Sequence, residues 1–294
     1  ASHLFDIKPS YRFQNVTSSL QMFPEASTGQ DPPNGASINY WLKEKQDEIE
    51  IIITNQKNDT IKTIKEKGNK GINRLWWDFS GEKTDDVVFR TKPLYADWVS
   101  LDKNRERKAP YNFSILSPPG TYNITLKSGD NTMTKSLEVI KDPHSEGTTE
   151  DIMLQNQLVT EIYDDINLAV HYINSIEVVR RQLLDLKAML KNTNHKEELI
   201  SLVDDLESEF LELEKQLTQL KTTGTGQDEV RYEKMIGEKL SYLADNVQIS
   251  DFRPADSYHE VHKLLKSRLD KVGEQFEKLK NENLKNTLSS LRDK

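Results

Sequence analysis

His259-Glu260-Val261-His262 is the stretch that comes nearest to a catalytic or metal motif. A zinc-protease helix carries HExxH, because histidines four apart project from one side of a helix and the glutamate serves as general base. Here the second histidine stands three residues on, and Lys263 takes the fourth place. The spacing fails, no third ligand is evident, and both histidines read as surface residues. Carboxylates are paired at Asp164-Asp165 and Asp204-Asp205. A glycosidase needs two such groups roughly 5–9 Å apart in a cleft. These pairs lie on helical stretches whose opposite faces are apolar, so they read as solvated faces. Asp85-Asp86 and Asp97 fall in a polar loop with no apolar flank to desolvate one of them. There is no Gly-rich phosphate loop and no G-x-S-x-G elbow. The residues therefore assign no catalytic group, no metal ligand and no cofactor.

Aromatic residues offer binding chemistry instead. Trp41, Trp76, Trp77 and Trp98 all precede residue 143. Exposed tryptophan on a β-sheet can stack on sugar rings, which makes Trp41, Trp76 and Trp98 candidates for a carbohydrate platform. The alternative is that Trp77 is core and that Trp41 and Trp76 lie against the lead-in. Asn15, Asn58, Asn112 and Asn123 stand in N-x-S/T sequons, a motif that arises often by chance in a Lys- and Asn-rich chain. The net charge of −8 argues against a broad nucleic-acid surface, and the basic run Lys103 to Lys108 is broken by Glu106.

The elements that must position these residues follow from periodicity. The 294 residues suffice for two domains, and 35% hydrophobic against 30% charged residues suits elongated helices burying a narrow stripe. No cysteine is present, so disulfides and thiol chemistry are excluded. No apolar run approaches the roughly 20 residues of a membrane span. The chain opens at Ala1 without Met or a signal peptide, which reads as a processed or excised piece.

Residues 1–34 read as an irregular lead-in, with Leu4 to Ile7 and Tyr11 to Phe13 as short edge segments. Period-2 alternation then places Ile38, Tyr40 and Leu42, then Ile49, Ile51 and Ile53, then Leu75, Trp77 and Phe79 on inward faces. Gly81 to Lys108 reads as a long polar insertion with one short strand near Asp86 to Phe89. Thr121 to Lys127 and Thr132 to Ile140, joined by Ser128-Gly129-Asp130-Asn131, form a hairpin that closes the β domain. Beyond Pro143 the period becomes 3.6. A helix of about 40 residues is expected from Glu150 to Lys191. A second carries a seam through Leu199, Leu202, Leu206, Phe210, Leu213, Leu217 and Leu220. A third runs from Tyr232 to Val247. A fourth buries Tyr258, Val261, Leu265, Leu269, Val272, Phe276 and Leu279 behind a Ser257/Glu260 capping box. The expected fold class is α+β in two segregated domains. An all-β immunoglobulin-like sandwich at 35–143 precedes an all-α antiparallel bundle of long helices at 148–294.

Several stretches in order carry a resemblance. They are His3-Leu4-Phe5 with Pro9-Ser10-Tyr11-Arg12, and Asp31-Pro32-Pro33-Asn34-Gly35-Ala36 running into Ile38-Asn39-Tyr40-Trp41-Leu42-Lys43. Gly71-Ile72-Asn73-Arg74-Leu75-Trp76-Trp77-Asp78, Pro118-Pro119-Gly120-Thr121-Tyr122, Lys141-Asp142-Pro143 and Gly226-Gln227-Asp228 follow. Together they resemble the C-terminal region of bacterial exported β-propeller proteins, sortilin-like or with neuraminidase repeats, often labelled glycosyl hydrolases. The resemblance implies an immunoglobulin-like domain similar to that of flagellar hook-capping proteins, followed by helices. It implies an exported protein, and it makes the protein's own N-terminal propeller the first partner. Any sugar-cleaving residues would lie in that propeller, so none is carried over. Three functions remain open: a non-catalytic accessory or interaction region, a carbohydrate-binding module, and an enzyme with a site where sandwich and bundle meet.

Overall fold

The computed structural model describes residues 2–14, 33–94, 98, 105–107, 111–191, 196–221 and 231–292. Strands and helices both contribute, so the fold is α+β. The chain divides into two compact units. The first comprises Ala1–Lys83, Ser114–Val159 and Val247–Pro254, and the second comprises Thr84–Phe113, Thr160–Asn246 and Ala255–Lys294. This differs from a single cut between Asp142 and Thr148, because each unit takes in segments from both sides of that point.

In the first unit, β1 (Ser2–Leu4), β3 (Ala36–Leu42) and β6 (Gly71–Trp77) form an antiparallel sheet with β3 in the middle. A five-stranded sheet has the order β2 (Ser10–Arg12), β12 (Asn131–Lys141), β11 (Gly120–Ser128), β4 (Gln46–Thr54) and β5 (Thr60–Gly68). A short ladder joins β7 (Ser80–Lys83) to β10 (Ser114–Leu116). Alternation turns Ile38, Tyr40 and Leu42 of β3, Ile49, Ile51 and Ile53 of β4, and Tyr122, Ile124 and Leu126 of β11 into one shared core. Trp77 is its largest member. Its ring meets Phe79 and Tyr122 edge-on at 5.3 and 5.2 Å, and its Nε1–H donates to the Ser80 carbonyl at 2.9 Å. Gly35, at φ +120°, passes so close to the Trp77 carbonyl that a Cβ would sit 2.1 Å from it.

The hairpin does not close a sheet edge. β12 pairs on its free side with β2 in parallel, from Val139↔Ser10 to Lys141↔Arg12. The two edge segments expected within residues 1–34 lie at β1 and β2, one to three residues earlier than read, and each completes a sheet edge; three residues are too few to fix their exact place. Residues 15–32 of the lead-in, the Asn15 sequon included, lie outside the described residues. The fully buried Arg12 pairs with the buried Asp251, so β2 also anchors the 247–254 segment. Gln248 of that segment serves β10 as a strand partner would, accepting from Leu116 N–H at 2.8 Å and donating to the Ser114 carbonyl at 3.1 Å.

Helix α1 spans Thr149–Leu190. Its start is a reciprocal cap: Thr148 Oγ1 accepts from Asp151 N–H at 3.0 Å while Asp151 Oδ2 accepts from Thr148. Helices α2 (Lys196–Leu217), α3 (Ile236–Val247), α4 (Asp256–Lys278) and α5 (Leu284–Arg292) follow, with a π-helical turn at Leu279–Asn283 between the last two. Within the second unit α1 and α2 are antiparallel, with Lys187 bonded to Asp204 and Arg180 to Glu207 and Glu214. Helix α4 instead runs parallel to α1: Asp165 meets His262, and Tyr172 packs on Phe276 at 5.4 Å. The expected all-antiparallel bundle is corrected here, because the path from α2 to α4 is no short turn but passes through α3 and residues 247–254.

Two further expectations are corrected. The Ser257/Glu260 box does not form; Ala255 is the N-cap and makes no side-chain cap bond. Nor is Gly81 to Lys108 only a polar insertion. β7 begins it, and β8 (Val87–Phe89) pairs with β9 (Arg105–Arg107). Val87, Phe89, Tyr111 and Phe113 are buried. The segment's neck is tied by Thr84 N–H to the Phe113 carbonyl at 2.8 Å and Phe113 N–H to Thr84 Oγ1 at 3.0 Å. Tyr111 fills the space left by Gly237 on α3, where a Cβ would lie 2.3 Å from the ring.

Candidate functional site

The outer face of the β1–β3–β6 sheet is built by the residues that alternation turns away from the core. Register places His3 and Ile72 on either side of Trp41, Asn39 opposite Arg74, and Ser37 opposite Trp76. Trp41 is 37% exposed and Ile72 74%, while Trp76 is half-buried. Phe5 extends the face, its ring edge-on to His3 at 4.8 Å. Between the two tryptophans, Arg74 Nε donates to Asn39 Oδ1 at 2.8 Å and Asn39 donates to Ser37 Oγ at 3.1 Å. Trp41 and Ser37 are four residues apart on β3, so the two aromatic positions stand about 13 Å apart along the strand. Trp98 is exposed but belongs to the second unit and to none of these strands. Asp97 lies outside the described residues.

The second unit carries an open cleft of about 710 Å3 lined by Asp85, Asp86, Arg90, His171, Asn174, Ser175, Val178, Val179, Phe276 and Lys280. One wall is backbone clamped by side chains of α1. Asn167 accepts from Asp85 N–H at 2.8 Å. Asn174 accepts from Val88 N–H at 2.7 Å and donates to the Asp86 carbonyl at 3.0 Å. Glu177 accepts from both Arg90 and Thr91 N–H, the latter at 2.7 Å, and from Thr91 Oγ1 at 2.7 Å. Residues 167, 174 and 177 share one helical face, which is why an irregular segment can be held along its length.

Behind this wall lies a buried ionic network. Arg180 bonds Glu214 at 2.5 Å, Glu207 at 2.8 Å and Thr91 Oγ1 at 3.2 Å. Glu177 and Glu214 are fully buried. Burial pushes the Glu214 carboxyl well above the usual carboxylate range, the nearby Glu177 adds to the rise, and Arg180 opposes it. Glu214 Oε1 has no hydrogen-bond partner among the described residues. Neither carboxylate reaches solvent, so the pair joins helices rather than meeting a substrate. Both were hidden in the sequence by being charged on an apolar seam. A signal existed: the α1 seam jumps seven residues from Ile176 to Leu183, and Arg180 fills the gap.

The histidine motif divides. His259 is exposed, but His262 is buried, with Nε2 2.8 Å from Asp165 Oδ2. Lys266 reaches the other Asp165 oxygen at 3.1 Å, and Glu161 lies 3.8 Å from His262 Nδ1. Burial alone would raise Asp165, but the bonds from His262 and Lys266 outweigh it and hold the carboxyl below its ordinary value. His262 is thus no surface residue and Asp165 no solvated carboxylate. The apolar seam points to Val261 for the inward place, yet Val261 is 43% exposed. Positions 261 and 262 both precede Leu265 by a helical step; pairing with Asp165 decides for 262. Among the described residues no group of three or more His, Asp or Glu could hold a metal, and no helix is long and apolar enough to cross a membrane.

No family model, no curated protein and no solved structure matches the chain.

Proposed function

We propose that this chain is a non-catalytic accessory region of an exported bacterial β-propeller protein of the glycosyl-hydrolase-like class, and that its three-stranded and five-stranded sheets form an immunoglobulin-like sandwich. On this reading the chain holds a partner, its own propeller first, and does not turn a substrate over. The observation that supports it most is the outer face of the three-stranded sheet, where Trp41, Ile72, Phe5 and Trp76 surround the polar pair Asn39–Arg74. A large aromatic surface with a few fixed polar groups is the composition of a binding surface.

A second reading, a carbohydrate-binding module, is favoured by the same face. Two indole faces about 13 Å apart with an amide and a guanidinium between them suit an extended saccharide, which has apolar ring faces and hydroxyl edges. Trp98 would then be a separate exposed ring. A glycan array and a hydrolase-substrate screen on this chain, beside the full-length parent, test both readings. The chain alone is expected to leave aryl glycosides and sialosides at the blank rate. Array signals lost in Trp76→Ala establish the second reading. Turnover abolished by changing Asp85 or Asp86 defeats both and restores an enzyme.

A further inference from the structure

We propose that the cleft of the second unit is a binding site for the two charged ends of a short free peptide. This stands on the helical unit's own geometry and does not rest on the sheet face.

The clamped wall has a direction. Asp85 is held beside residue 167 of α1, Val88 beside 174 and Arg90 beside 177, so the segment runs along the helix in the same sense. Its acids therefore stand at one end of the cleft and its arginine at the other. Helix α4 keeps the same order: Lys266 meets Asp165, Phe276 meets Tyr172, and Lys280 follows in the chain, its ammonium 5.6 Å from the centre of the Phe276 ring. The result is a dipolar trough with Asp85 and Asp86 at one pole and Arg90 and Lys280 at the other. Phe276, Val178, Val179, Ser175 and His171 line it between.

The charges at the poles are available. Asp85 and Asp86 are exposed and take part in no ion pair among the described residues. The Arg90 guanidinium donates to the Val88 carbonyl at 2.9 Å and pairs with no carboxylate among the described residues. Lys280 is shared with Glu277 at 3.1 Å, so it adds potential while Arg90 supplies the fork. The wall is already in place, because three α1 side chains hold its backbone; a ligand need not order it.

Length selects the ligand. From residue 167, which holds Asp85, to residue 177, which holds Arg90, the helix rises about 15 Å, and the Arg90 guanidinium, turned back onto the Val88 carbonyl, shortens the gap a ligand must span. An extended peptide advances about 3.3–3.6 Å per residue, so three or four residues place an ammonium at the acidic pole and a carboxylate at the basic one. A single amino acid is too short to satisfy both ends.

The test titrates the full chain with trialanine, followed by amide NMR shifts, beside N-acetyl-trialanine and trialanine amide. Shifts are expected at residues 85–91 and 171–179, with capping of either end weakening binding ten-fold or more. Arg90→Gln is expected to weaken trialanine to the level of the amide while leaving the amide's own affinity unchanged. The double change Asp85→Asn and Asp86→Asn should do the same for the acetylated form. If Arg90→Gln lowers the melting temperature, Lys280→Gln carries the same comparison with a smaller loss. Absence of saturable shifts at 20 equivalents of trialanine, or equal binding of the capped and free peptides, overturns the proposal.

Discussion

Glu177 and Glu214 face the same arginine and do opposite things. Glu177 receives two backbone N–H groups and a hydroxyl, all donors to an anion. Glu214 accepts from Arg180 and keeps a buried oxygen with no hydrogen-bond partner among the described residues. Its raised value means that the folded state binds the proton more tightly than the unfolded chain. Its contribution to stability is full below about pH 4 and is lost as pH rises through the folded value. Glu214→Gln, neutral and of the same shape, is expected to flatten that loss and raise the urea midpoint at pH 8. Glu177→Gln removes the anion from its three donors and should cost about 3 kcal/mol or more. A wild-type midpoint that does not fall between pH 5 and 8 relative to Glu214→Gln would show that Glu214 is not the proton carrier. Asp165 has the opposite sign. Its folded value is depressed, so its contribution is present above about pH 4 and fails as pH falls through that lower value. Asp165→Asn should lower stability at pH 7 by about 1–3 kcal/mol and leave the difference smaller in acid. Paired melts at pH 7 and pH 3 measure it.

At the scale of elements, Phe210 is fully buried on α2 and meets Phe276 of α4 at 6.4 Å. Phe210→Ala should cost about 3–5 kcal/mol. Glu212→Ala touches only an exposed pair with Lys215 and should cost under about 0.5 kcal/mol. Equal melting temperatures would put the wrong face inward. The α2 seam was legible because six apolar residues from Leu199 to Leu217, at spacings of three and four, admit one face. Strands β3, β4, β11 and β12 were legible because each has enough alternating positions to fix both period and register. What escaped was of two kinds. β1 and β2 show in the sequence only as edge segments, Leu4 to Ile7 and Tyr11 to Phe13, because three residues are too few to fix register or partner. His262, Glu177, Arg180 and Glu214 occupy seam positions with polar side chains, so hydrophobicity points past them. Their burial depends on partners far apart in sequence, which no local pattern encodes.

For the whole molecule, the division of the chain bears on how it can be cut. Residues 84–113 contribute Val87, Phe89, Tyr111 and Phe113 to the second unit, together with the Thr91 contacts to Glu177 and Arg180. A fragment of residues 147–294 is therefore expected to keep helical circular dichroism but to lose a cooperative melt; a sharp transition at the wild-type temperature would show that the 84–113 segment is dispensable. Of the candidate binding residues, Trp41 and Trp76 were legible as aromatic strand positions. That they share a face with Asn39 and Arg74 follows only from the β3–β6 register. The most direct measurement is the affinity of the full chain for the separately produced propeller that the proposed accessory role assigns to it, wild type against Trp41→Ala and Trp76→Ala. Both substitutions lie on the outward face and should leave the melting temperature within about 2 °C. The account expects each to weaken binding ten-fold or more. Unchanged affinity in both would contradict it and move the working surface away from the three-stranded sheet.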